Sequence, residues 1–320
     1  MKTIKIISII ILAFFLTNCE DILEKNISNN TIQTIYPTAM KEVQGNVVNF
    51  QWNKVDGAKK YRLQIFSQDQ SILLEKEVEE SSFSYSFTLP GQYQWRVRAE
   101  NNAYLSPYSL PITFSTVVSD VLTNQTLSLS TPINDNFTNN KVFTLTWIAL
   151  TAATSYEVDV VNATTGATAL PVTTVTTASA PLTTSNFPID GKYQWKVKAM
   201  NSISNTSTTS AIFTFSIDTT VPNQPTNTLP AVNSSKTLNT TVDFAWTINP
   251  DSGIIKSPVN YSIEFSSDLN FTEITQTSDA ITTSFSKTFT AVGIYYWRIK
   301  AKDSAGNISP ASAPFKLTIT

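Results

Sequence analysis

Apolar and polar residues alternate with a period of two along most of this chain. Tyr93, Trp95, Val97 and Ala99 are separated by Gln94, Arg96 and Arg98; the same order returns in Tyr193, Trp195, Val197 and Ala199, and again in Tyr295, Trp297, Ile299 and Ala301. A two-residue period sends one set of side chains to a buried face and the other to solvent, so each copy predicts a strand packed on one side. The copies begin at Gly91, Gly191 and Gly293, 100 and 102 residues apart. Upstream of each, a second alternating strand closes on tryptophan: Val48, Phe50, Trp52; Phe143, Leu145, Trp147; Val242, Phe244, Trp246. A third follows in Tyr61, Leu63, Ile65; Tyr156, Val158, Val160; and Tyr261, Ile263, Phe265. Turn pairs such as Asp56-Gly57, Pro90-Gly91 and Asp190-Gly191 separate the strands at antiparallel spacing.

All six tryptophans, Trp52, Trp95, Trp147, Trp195, Trp246 and Trp297, fall inside this template at inward parity, as do Tyr93, Tyr193 and Tyr295. They are the predicted core. Truncating a buried Trp costs roughly 3 to 5 kcal/mol, which explains how domains of this size stand without disulfides.

The second-strand Trp, the third-strand Tyr, the Tyr-x-Trp-basic-Val-x-Ala strand and the Ala-x-Asn or Ala-x-Asp turn after it resemble the fibronectin type III-like and Ig-like repeats of bacterial extracellular proteins. The resemblance covers residues 37–320 and implies an all-β chain of three tandem antiparallel β-sandwiches, at 37–118, 130–218 and 222–320. It also implies that Tyr93, Tyr193 and Tyr295 act as tyrosine corners, each hydroxyl bonding back to nearby backbone. Three such units joined by short Pro-containing segments are expected to form a rod on the order of 100 Å long.

The amino terminus carries a different pattern. Lys2 and Lys5 precede the apolar run Ile6 to Leu16, which as a helix rises only about 16 Å, half of a bilayer core. Residues 1–18 are therefore read as an export signal. The sequence Leu16-Thr17-Asn18-Cys19 resembles the lipobox of bacterial lipoproteins, and the resemblance implies that the Cys19 thiol is acylated and becomes the new amino terminus. Several acyl chains would hold the protein on a membrane, each buried methylene adding ~0.8 kcal/mol. Residues 19–36 are read as a tether. Its acidic start, Glu20 and Asp21, resembles the export signals of surface lipoproteins of Bacteroidota, which implies an outer-membrane or cell-surface location.

Composition narrows the function classes. Charged residues make up 14 % of the 320, the net charge is -2, and histidine is absent. Nothing in that balance suits nucleic acid, and no side chain has an ordinary pKa near neutrality to serve as a general base. Gly-rich phosphate loops, CxxC pairs and GxSxG elbows are also missing. The nearest thing to paired catalytic carboxylates is the run Glu75, Glu77, Glu79 and Glu80, which reads as a solvated strand face. The chain is accordingly read as a non-enzyme without cofactors. No metal site is read either: the likeness to adhesin repeats marks Asp218, Asp251 and Asp303 as positions for calcium at a joint, but Asp251 and Asp303 lie in turns, where Asp is common for its side-chain bonds to backbone.

Candidate ligand-binding residues are the loop aromatics Tyr104 and Tyr108, and Tyr296, which parity turns outward beside Trp297. The expected function is that of a lipid-anchored interaction, adhesion or spacer module of the cell envelope, its protein or polysaccharide ligand unidentified. The alternative is a surface glycan-binding lipoprotein of a polysaccharide-uptake system.

Overall fold

A computed structural model describes residues 24–320. The signal segment, Cys19 and the first residues of the expected tether lie outside the described residues. The described residues form two compact units, one of residues 24–126 together with Asn201–Thr208, the other of Leu127–Met200 with Thr209–Thr320.

The first unit contains one β-sandwich. Its strands are β1 (Thr34–Tyr36), β2 (Lys41–Gln44), β3 (Val47–Trp52), β4 (Lys60–Phe66), β5 (Ile72–Val78), β6 (Ser82–Ser86), β7 (Gly91–Glu100) and β8 (Ile112–Val117). One sheet has the order β1-β3-β6 and the other β2-β8-β7-β4-β5. All neighbours are antiparallel except β2 and β8, which run parallel with Lys41 opposite Phe114. This is the layering of a fibronectin type III-like sandwich, with the predicted apolar positions of β3, β4 and β7 forming the shared interior. Trp52, Trp95, Phe50 and Phe114 are the largest side chains there, and Phe50 meets the Trp95 ring edge-on at 5.1 Å.

The core begins earlier than the tether reading placed it. Ile27 and Ile32 are buried in the same cluster, and β1 pairs with β3 from Thr34 onward. Glu24 binds Lys59 and Lys25 binds Asp56, so the residues ahead of β1 are fastened to the sandwich by charge as well as by burial. Two isoleucines five positions apart make no period, which is why this packing leaves no mark on the alternation.

The second unit holds two further sandwiches. The earlier is built from β9 (Leu129–Thr131), β10 (Asn136–Thr138), β11 (Phe143–Trp147), β12 (Ser155–Asn162), β13 (Thr168–Val175), β14 (Ser179–Leu182), β15 (Gly191–Asn201) and β17 (Phe213–Ile217); the short strand β16 (Thr206–Thr209) lies almost wholly in the segment counted with the first unit. Its sheets run β14-β11-β9 and β10-β17-β15-β12-β13. The later one uses β18 (Thr226–Leu229), β19 (Ser234–Lys236), β20 (Thr241–Thr247), β21 (Val259–Ser266), β22 (Gln276–Ala280), β23 (Ser284–Thr288), β24 (Gly293–Asp303) and β25 (Phe315–Ile319), in sheets β18-β20-β23 and β19-β25-β24-β21-β22. All six tryptophans are buried.

Small details repeat with the strands. The Tyr93 hydroxyl donates to the Leu89 carbonyl at 2.6 Å, Tyr193 to Ile189 at 2.8 Å and Tyr295 to Ala291 at 3.0 Å, which fixes the turn entering each long strand as a tyrosine corner does. The long strands end on recurring serine hydroxyls that accept strand N–H groups: Ser109 from Val97, Ser210 from Val197, Ser312 from Ile299. These serines stand in for ladder bonds before the last strand begins, a role that alternation does not signal.

Candidate functional site

The three aromatics proposed for ligand contact lie in three different settings. Tyr108 rests on the outer face of β7, its ring centroid 4.4 Å from the Arg96 guanidinium and 4.8 Å from that of Arg98. These arginines belong to a ladder across β4, β5 and β7. Arg62 donates to Glu100 at 2.7 and 3.1 Å, to Glu75 at 3.3 Å and to Glu77 at 3.2 Å; Arg98 also reaches Glu100 at 2.8 Å, and Arg96 reaches Gln64 at 2.8 Å. The Arg62 guanidinium, aided by Arg98, holds the Glu100 carboxyl below the usual carboxylate range against the opposing effect of burial. Tyr104 is elsewhere: its backbone N–H is taken by the Asn101 side chain, and its ring is partly exposed in the hairpin closed by the Glu100 to Leu105 bridge. Tyr108 and Tyr104 form no joint platform.

Tyr296 does point outward, half-buried on β24 opposite Lys316 and Ser266. On the same face Arg298 stacks over Phe271 at 4.1 Å and binds Glu264 at 2.6 Å, while Lys300 binds Glu264 at 2.8 Å. Burial alone would raise the Glu264 pKa, and the two cations more than offset it.

Asp218 and Asp303 are both buried and both committed to protein donors. Asp218 accepts from the Ser257 hydroxyl at 2.5 Å, the Ser257 N–H at 3.3 Å and the Thr220 N–H at 3.1 Å. Asp303 accepts the Asn307 N–H and side-chain amide, each at 2.8 Å; the same amide donates to the Asp218 carbonyl at 2.8 Å. A neutral amide thus stands between the two aspartates. Among the described residues no three acidic, histidine or cysteine side chains converge as metal ligands.

A cleft that the alternation does not announce lies in the first unit, with a volume of about 600 Å³, in the range of small-molecule sites. Tyr36, Val47, Asn49 and the β2 residues Lys41, Glu42, Val43 and Gln44 line it together with Thr123–Thr126. The local sequence explains how it is built. Gly45 has φ +92°, and a Cβ there would lie 2.6 Å from the Asn124 carbonyl oxygen, so only glycine permits this approach. Next to it the Asn46 side chain donates to the Thr126 carbonyl at 2.9 Å and accepts the Thr126 N–H at 2.8 Å. Gly45 is one of eight glycines in the chain, and that scarcity is the one sequence signal that could have drawn attention to it. A second groove of about 600 Å³ runs beside Tyr108 between Thr31–Thr34 and Leu110.

Comparison with known proteins gives fold-level likenesses only. No family model matches the chain, and no curated protein matches it. Solved structures that resemble it include the FN1–FN3 domains of chicken CNTN1, at 16% identity and TM-score 0.40, covering 90% of this chain and 97% of that one. The fibronectin(III)-like modules of Clostridium thermocellum CbhA align at 17% identity and TM-score 0.42, over 61% of this chain and 94% of theirs. A set of domains from titin aligns at 13% identity and TM-score 0.39, over 90% of this chain and 97% of its own.

Proposed function

We propose that this chain is a non-catalytic lipoprotein of the cell envelope, anchored through Cys19 at the outer membrane or cell surface, whose sandwiches act as an interaction, adhesion or spacer module. The observation that supports the non-catalytic part is the fate of the acidic groups clustered on the outer face of β4, β5 and β7. Glu75, Glu77 and Glu100 all bind Arg62, and a carboxylate held as an ion by a guanidinium is a poor proton donor or nucleophile. The anchoring part rests on the apolar run that ends just before the single cysteine.

The test is metabolic labelling with palmitate in a bacterium that processes lipoproteins. Wild-type chain should carry label and sediment with membranes, whereas Cys19→Ser should carry none and appear in the soluble fraction. Unlabelled wild type, or label retained by the serine variant, would overturn the anchor.

A further inference from the structure

We propose that the cleft bounded by β1 to β3 and Thr123–Thr126 binds a short neutral oligosaccharide, stacked on Tyr36 and read by the side-chain amides of Gln44, Asn49 and Asn124. This rests on the reading of the chain as a non-catalytic binding module and names the ligand class for one of its surfaces.

The first argument is the state of the lining groups. Across β4, β5 and β7 of the same sandwich the outward charges Arg62, Arg98, Glu75, Glu77 and Glu100 are paired with one another. In the cleft, the Tyr36 hydroxyl, the Lys41 ammonium, the Glu42 carboxylate and the amides of Gln44 and Asn124 make no hydrogen bond or ion pair with any described residue. Asn49 has only its oxygen engaged, by Ser84 at 3.4 Å. Side-chain amides offer a donor and an acceptor side by side, the pattern that matches two neighbouring sugar hydroxyls. Tyr36 is half-buried against the core, and the part of its ring left exposed beside these amides suits the apolar C–H face of a pyranose ring.

The second argument is charge. Lys41 and Glu42 are the only charged lining residues and cancel, so the cleft has no net attraction for an anionic polymer or a cationic peptide. Apolar peptides find little here, because Val47 is the one apolar side chain of the lining that is not buried. The groove beside Tyr108 is likewise without net charge, but its amide content is limited to Gln33 and its tyrosine ring is already covered on one face by arginine.

The third argument is that the cleft is prebuilt. The Gly45 approach and the paired Asn46 to Thr126 bonds hold Asn124 in place before any ligand arrives, which spares the ordering cost that weakens sites on free loops.

The experiment is affinity electrophoresis of the full chain in detergent through gels containing laminarin, galactomannan, xylan, mannan or soluble starch, with polygalacturonate and chondroitin sulfate as acidic polymers. At least one neutral polysaccharide should retard the wild type. The double variant Gln44→Ala, Asn124→Ala removes two exposed amides that make no bond within the protein, so it should keep the wild-type melting curve and lose at least about tenfold in affinity. Tyr108→Ala should bind as the wild type does. Retardation by none of the neutral polymers, retardation by the acidic ones alone, or retention undiminished in the double variant would each overturn the proposal and leave the non-catalytic module standing. Depolymerised polysaccharide in the gel lane would instead strike at the non-catalytic reading beneath it.

Discussion

Met40, Asp135 and Asn233 occupy the same backbone corner in the three sandwiches, with φ of 59°, 58° and 64°. The left-handed region costs an ordinary L residue roughly 1 kcal/mol or more, and Asn and Asp tolerate it because their short side chains bond locally. Two copies therefore carry residues suited to the corner and one does not. Met40 is 76% exposed, so its side chain contributes little packing that a replacement would forfeit. Met40→Asn is expected to stabilise the first sandwich by about 1 kcal/mol, read as a shift of its urea midpoint with unchanged slope. A midpoint that stays put or falls would mean that the methionine makes an undisclosed contact worth as much as the strain.

At the scale of strands and sheets, the ladder across β4, β5 and β7 ties the first sandwich to pH. The Glu100 side chain is only 4% exposed and its folded pKa lies below the ordinary 4.5. A carboxyl depressed on folding adds stability that is fully present above its unfolded value and is lost as pH falls through the folded one, because the unfolded chain then binds the proton first. Stability of this sandwich should therefore decline below about pH 4.5. Glu100→Gln should flatten that acid limb while lowering stability at neutral pH by about 1 to 3 kcal/mol, since Arg62 and Arg98 lose the negative charge they share. Denaturant midpoints measured from pH 3 to 7 decide it, and an identical acid limb in both proteins would place the titrating group elsewhere. None of this pairing was legible in the sequence. Arg62 and Glu100 lie 38 positions apart, and outward positions of a strand read alike whether their charges meet or face water. The inward positions were legible because burial imposes a period, and every tryptophan and long-strand aliphatic followed it. Lys287 shows where that rule yields: it takes the core-facing position that Tyr85 holds in the first copy, with its ammonium over Phe265 and Phe289 and bonded to Gln276. An inward lysine on an outer strand is a known guard against strand addition, so the local exception serves the sheet edge.

At the largest scale, the repeats are alike inside, because the core template constrains the strands and leaves the connecting residues free. In the second unit the join is a closed polar network. Asn139 donates its side-chain amide to Asn307 at 3.1 Å and its backbone N–H to the Ala305 carbonyl at 3.0 Å, and the Asn307 amide reaches both the Asp218 carbonyl and the Asp303 carboxylate. The likeness to adhesin repeats marks the aspartate pair as positions for calcium, although no metal site is read from the sequence. A cation inserted between the two carboxylates would have to displace the Asn307 amide that now lies there, and would orphan that buried side chain. Calcium or a chelator should thus move the melting temperature by less than about 2 °C. Asn307→Ala, in contrast, leaves the Asp218 carbonyl, the Asp303 carboxylate and the Asn139 amide short of a partner, at a cost of about 1 to 3 kcal/mol. A calcium-dependent rise in melting temperature in the wild type, absent from Asn307→Ala, would show instead that the amide shares the site with an ion, and that the network closes around a cation rather than in place of one.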